Sequence, residues 1–491
     1  MLTITLTLLL SAAPVPAPSQ YAEIRVVDEV TGRGIPLVEL ETTNSTLYVT
    51  DNNGRVAFHE PELEGREVYF SVRSHGYAIR KDGFGFAGVK LTPKAGMISD
   101  IALSRVNIAE RWCRLTGEGL ERDSRLLGYK TQPVNNGRVV GQDSVQAAVF
   151  GGKVYWFWGD TQRIDYPLGL FRMAGATTPV FEAKADLTHG IAYDYFVEPK
   201  SQFTRAMIPY AKKLEGVVWV FALAVVPDKD GKEHMVAHYS RRKGLADELE
   251  HGLCDYDLSV NAFKPVKELP LKETWRKPTG HPIEFIENGT KYMLYGSPNP
   301  NVRTPASYEG VLNTLEYEAY TCLKSDGTVD TDKDGAPVWR WQKELPPLNS
   351  KDELALVKAK KIAAKHARFC PTSADGKQIE LHSGSVRWNA HRKCWILVAG
   401  QIGGLSSHLG EVWYAEAAHP TGPFGTATKI ITHDKQTFYN VVQHPFLDNG
   451  RYIYLEGTYT NDFSGNSHRT PRYNYNQVLY RLDLNDVTLK K

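Results

Sequence analysis

The sequence has few cysteines, no surplus of charge and, beyond its first residues, no long apolar run. Its five cysteines in 491 residues (Cys113, Cys254, Cys322, Cys370 and Cys394) form no Cys-x-x-Cys pair, so a zinc or iron–sulfur site has no support. Their odd number leaves at least one thiol unpaired in a monomer, and a chain of this size does not need disulfides. The 58 basic side chains stand against 56 acidic ones. A chain that gripped phosphates would show a basic excess or stripe, so nucleic acid is not an expected partner. No later segment approaches the roughly 18 apolar residues of a spanning helix, so no transmembrane segment is expected in the mature chain. Phosphate loops, G-x-S-x-G elbows, H-E-x-x-H helices and Rossmann fingerprints are all missing, and nucleotide cofactors are not expected.

What is there begins with an apolar leader. Residues 2–10 are apolar apart from threonines, and Ser11-Ala12-Ala13-Pro14-Val15-Pro16-Ala17 follows. The run is too short to span a bilayer and reads as a signal peptide over residues 1–19, cleaved near Ala17 or Ser19, although no Lys or Arg follows Met1. The expectation is a secreted protein: periplasmic, extracellular or at the cell surface. The remaining chain is rich in aromatics, with 10 Trp, 25 Tyr and 18 Phe. Many of them sit in short β-type runs, which suit both strands and sugar-stacking surfaces.

Residues 20–106 read as about seven short strands broken by turn signals such as Asp51-Asn52-Asn53-Gly54, the pattern of a small β-sandwich. Residues 107–138 read as a connector with a short helix at 107–115. From residue 139 to the end, five aromatic strands recur, each closing a hairpin: 154–159, 217–222, 292–296, 394–399 and 452–457. Each has a strand before it and a third strand after it. Such a repeat over residues 139–491 predicts an all-β fold, a five-bladed β-propeller with long blades. One insertion, residues 351–365, reads as helical.

The first of these hairpins carries the chemistry. If Gly151-Gly152 is a two-residue turn, Phe150 pairs with Lys153, and the same register sets Asp143 opposite Asp160. Opposed Cβ atoms lie about 4.5–5.5 Å apart, and like charges that close are destabilising. A carboxyl pair at about 5 Å is what a retaining glycosidase uses, with one pKa raised by the other's charge. Capping of turns or cation binding would account for the same two residues. His281, His382 and His444 precede or open inner strands and are candidates for a shared pocket. Glu411 and Glu456, on strands of the fourth and fifth units, are alternative acids. Arg205, Arg472 and Tyr473 are candidates for binding a hydroxyl or carboxylate.

Two resemblances sharpen these expectations. "VVDEVTGRGIPLVELETTN" with "YVTDNNGRVAF" resembles prealbumin-like and carboxypeptidase-regulatory-like Ig-type domains, which implies an Ig-like accessory module at residues 20–106. "GQDSVQAAVFGGKVYWFWGDT" resembles the opening blade of five-bladed propeller glycoside hydrolases of the endo-D-arabinanase type, with Trp158 where those carry Phe. "EVWYAEAAHPTGPF" resembles a strand–turn of arabinanase/xylosidase-type propellers. The resemblance implies catalytic roles for Asp143 and Asp160 and a carbohydrate substrate. It does not specify sugar, linkage, endo or exo action, or stereochemistry.

Three functions therefore compete. The first is a secreted glycoside hydrolase with Asp143 and Asp160 as its pair. The second is a polysaccharide lyase using His281, His444, Tyr473 and Arg472. The third is a glycan-binding surface protein without catalysis. No cofactor is required by any motif; a structural calcium ion on the propeller axis, held by water and a His or Asp, is compatible with the sequence.

Overall fold

The computed structural model describes residues 20–182, 185–209 and 215–489; the expected leader at 1–19 lies outside them. Residues 22–105 form two four-stranded sheets. One has the order Arg55–Phe58, Ala22–Asp28, Ile98–Arg105, Tyr77–Ala78; the other has Leu47–Val49, Glu39–Thr42, Val68–Arg73, Gly88–Leu91. Their strands alternate as half-buried strands must: Val68, Phe70 and Val72 face in, while Tyr69 and Ser71 are more exposed. Ile24, Val26, Leu40, Val56, Phe58 and Leu103 join them in one core.

Five antiparallel sheets of four or five strands follow, besides a two-stranded one formed by Val139–Gln142 and Thr161–Arg163. In the first four, strand order is chain order. The first sheet comprises Gln146–Phe150, Lys153–Trp158, Ala174–Pro179 and Asp194–Tyr195. The second comprises Val217–Pro227, Glu233–Lys243, Asp247–Asp257 and Ala262–Leu269. The third runs from Ile283–Glu287 to Arg340–Gln342 with five strands, and the fourth from Leu381–Asn389 to Thr428–Ile431 with four. The fifth contains Thr437–Gln443, Tyr452–Thr460 and Asn476–Asp483, and its outer strand is Glu110–Arg114 from far upstream. Apolar side chains of consecutive sheets share cores: first with second, second with third, third with fourth, fourth with fifth, and fifth with first.

Two local expectations are corrected. Residues 107–115 contain no helix; Glu110–Arg114 is a strand paired antiparallel with Asn476–Asp483. The predicted helix at 351–365 is shorter, Ser350–Lys358, capped by the Asn349 side chain, which accepts the Asp352 N–H at 2.9 Å. A 3₁₀ turn, Ala364–His366, follows it. All five cysteines are free thiols, four of them buried and Cys394 half-buried.

The outer strand also fastens the N-terminal module. Buried Arg111 donates to the carbonyls of Pro36 (3.1 Å) and His75 (3.0 Å) and to the Ser74 hydroxyl. Glu110 accepts from Arg33 and Arg481, both at 2.7 Å, and the two guanidiniums lie over the Trp112 ring at 4.3 and 3.9 Å.

Candidate active site

The hairpin that opens the first sheet fixes the carboxylates. Gly151 and Gly152 both have positive φ (53° and 78°), as a primed two-residue turn requires. Phe150 pairs with Lys153 and Gln146 with Phe157. Pairing then lapses and resumes in the same register, Gln142 with Thr161 and Gly141 with Gln162. The gap between the two ladders holds Asp143 and Asp160, opposite each other.

The gap is held by hydrogen bonds. The Asp143 carbonyl accepts the Gly159 N–H at 2.9 Å, and Asp143 Oδ1 accepts the Asp160 N–H at 2.9 Å. A Cβ at 159 would stand 2.3 Å from Asp143 Oδ1, so any larger residue there would push the Asp143 carboxylate aside. The Tyr439 hydroxyl donates to Asp143 Oδ2 at 2.8 Å, and Trp219 Nε1 donates to Asp160 Oδ1 at 3.0 Å. Tyr475 lines the same cavity as Asp143. Burial, and then the Asp160 charge, push the Asp143 carboxyl up to about 6, against the bonds from Tyr439, Tyr475 and Ser144. Asp160 is raised by burial and drawn back by Trp219.

Both carboxylates line a cavity of about 580 Å³. The second sheet contributes Trp219 and Phe221, and the third contributes Gly280, His281 and Ser297. The fourth gives His382 and Ser383; the fifth gives Tyr439 and Asn440, with Asp462, Phe463 and Tyr475 from its loop. Burial holds His281 well below its ordinary pKa, with Arg387 and His444 adding to the effect, and lowers His382 likewise, so both imidazoles are neutral at pH 7. The site thus offers a titrating carboxyl, a second carboxylate, neutral imidazoles and aromatic faces. A cavity of about 210 Å³ beneath the connector has no such opposed pair.

The first strands reach this cavity through irregularities. Register shifts fall at Phe221/Ala224, Leu381/Gly384 and Tyr439/Val442, and Ser144, Ala222 and Asn440 adopt positive φ. Bulges re-aim side chains, and they concentrate at sites of this kind. Trp219, Tyr439, Asn440, Asp462, Phe463 and Tyr475 escaped the sequence reading. The signal for Tyr439 and Asn440 was their place at the head of the fifth unit's first strand, where His382 and Ser383 stand in the fourth.

The other expected residues lie elsewhere. Glu411 is buried, paired with Lys429 (3.1 Å) and accepting from Ser406 (3.0 Å). Glu456 is fully buried, with His444 Nε2 at 3.3 Å from its Oε2. His444 packs on Trp156. Arg205 donates to the carbonyls of Val260 and Asn261. Arg472 reaches Asp123 at 3.2 Å, and the Tyr473 hydroxyl donates to Glu39 at 2.9 Å, so both face the N-terminal region. Of the expected lyase set, only His281 lines the cavity. Among the described residues, no group of three or more His, Cys, Asp or Glu side chains is placed to hold a metal ion. No helix among them is long and apolar enough to cross a membrane.

No protein-family model matches the chain, and no curated protein matches it. Among solved structures, it is similar to a candidate hydrolase from Bacteroides ovatus (14% identity, 70% of this chain and 85% of that one, TM-score 0.42). It is also similar to a GH43 beta-xylosidase/alpha-arabinofuranosidase from a compost microbial metagenome (15%, 70% and 91%, TM-score 0.32). A third is an alpha-L-arabinofuranosidase from Fusarium graminearum (10%, 72% and 94%, TM-score 0.35). At TM-scores this low the functional reading rests on the side chains.

Proposed function

We propose that the chain is a secreted glycoside hydrolase whose catalytic pair is Asp143 and Asp160. The observation that carries this reading is the register of the opening hairpin, which opposes two carboxylates in an aromatic-lined cavity. In the same reading the five sheets are the blades of a propeller, and the two N-terminal sheets are an Ig-like module. The five shared cores support that arrangement, with Glu110–Arg114 completing the last blade.

The roles follow from the two environments. Asp143, raised to about 6, is protonated below that pH and donates its proton to the departing glycosidic oxygen. Asp160, whose Oδ1 already accepts from Trp219, is the ionised partner that attacks the anomeric carbon. Asp143 then takes a proton from water, and that water cleaves the glycosyl–Asp160 bond. Trp219, Phe221 and Phe463 offer faces for sugar rings.

A panel of polysaccharides assayed for reducing ends and for ultraviolet absorbance tests this. The expected result is new reducing ends without absorbance. Unsaturated, absorbing products would place the chain among lyases, and binding without either product would make it a glycan-binding protein.

A further inference from the structure

The loop 461–475 leaves the strand Tyr452–Thr460 and returns into Asn476–Asp483. Asp462, Phe463 and Tyr475 line the cavity, while Arg472 and Tyr473, between them, turn the other way. Arg472 and Tyr475 have φ of 64° and 61°, a region sparsely populated by side chains of this size, so tertiary contacts must hold it. Most of those contacts come from outside the fifth sheet's inner strands. The Arg472 carbonyl accepts from Arg114 Nη1 at 2.9 Å, and its guanidinium reaches Asp123. Tyr473 is buried against Tyr459, and its hydroxyl donates to Glu39 of the N-terminal module at 2.9 Å. Glu39 is held in turn by Arg73 at 2.8 Å. Two residues on, Tyr475 lines the cavity with Asp143, and its carbonyl packs on Gly141, two residues before Asp143, where a Cβ would stand 2.2 Å away.

We propose that the N-terminal module takes part in setting the active site: Glu39 and Tyr473 are positioning residues that hold Tyr475 against Asp143. The inference rests on the glycosidase reading only for its meaning in catalysis; the chain of contacts stands without it. Asp143 is faced by Asp160 from its partner strand, by Ser144, and by Tyr439 and Tyr475 from the fifth sheet. A bond that Tyr475 donates favours the charged carboxylate, so loss of that bond makes Asp143 hold its proton to higher pH.

The test is a carboxyl carbon-13 titration of the full chain labelled at aspartate, with Asp143 identified as the resonance missing from Asp143→Asn. Tyr475→Phe is expected to move its midpoint up by about half a pH unit or more. Tyr473→Phe and Glu39→Ala are expected to move it the same way. Removing the Glu39 charge alone would move it down. Glu39→Gln, which removes the charge but keeps an acceptor for Tyr473, does not move the midpoint up. A midpoint unmoved in Tyr473→Phe and Glu39→Ala overturns the proposal even if melting temperature falls, and so does an unmoved midpoint in Tyr475→Phe. Failure of the glycosidase reading would register separately, as silence on the polysaccharide panel while the midpoints still shift as expected.

Discussion

Asp143→Asn is expected to lower kcat on the responding polysaccharide by about 10²–10⁴-fold, the range for loss of a positioned proton-transfer group. Asp160→Asn, which removes the nucleophile, loses at least as much. The same Asp143 variant should be more stable than wild type at pH 7. An aspartate whose pKa is raised on folding binds its proton more tightly in the folded chain. Its contribution is neutral below the unfolded value near 4 and turns unfavourable as pH rises towards about 6. About two pKa units correspond to about 3 kcal/mol, so urea denaturation should show Asp143→Asn gaining about 2–3 kcal/mol at pH 7 and nothing near pH 4. A residue whose removal ends activity while strengthening the fold is held in place for chemistry. The wild-type kcat/KM should fall as pH rises through about 6, because Asp143 must begin the cycle protonated.

Glu110→Ala is expected to destabilise the chain by about 3–5 kcal/mol, read as a lower urea midpoint. Glu110 is buried and is the shared carboxylate of Arg33, from the N-terminal module, and Arg481, from the fifth sheet. Without it two largely shielded guanidiniums face each other across Trp112. The variant tests whether the strand Glu110–Arg114 fastens both regions at once. A loss below about 1 kcal/mol, the value of an exposed ion pair, would contradict that.

The legible parts of the fold were those written locally. The Gly151-Gly152 turn specified the register of the first hairpin, and the register specified which aspartates meet. The aromatic strands of the five units were readable because buried strands are long apolar runs. The strand Glu110–Arg114 was not, since nothing in its neighbourhood names a partner more than 350 residues away. Its Glu110, Arg111 and Arg114 look solvent-facing in sequence, yet all are buried by partners from the N-terminal region and the fifth sheet. The cavity residues Tyr439, Asn440 and Trp219 were hidden for a different reason. They lie on strands that bulge, and a bulge breaks the alternation from which a side chain's direction is inferred. Tyr473 and Arg472 were marked as functional by type, but the loop turns them towards the N-terminal region and brings Tyr475 to the carboxylates instead.

The pairing of Asp143 with Asp160 is tested most directly by the anomeric configuration of the first product formed, followed by proton NMR before mutarotation. Opposed Cβ atoms on neighbouring strands lie about 4.5–5.5 Å apart, a spacing that suits a nucleophile and an acid/base, so retention is expected. Inversion needs about 6.5–9.5 Å between the two groups to admit a water, and a first product of inverted configuration would contradict the assignment of this pair.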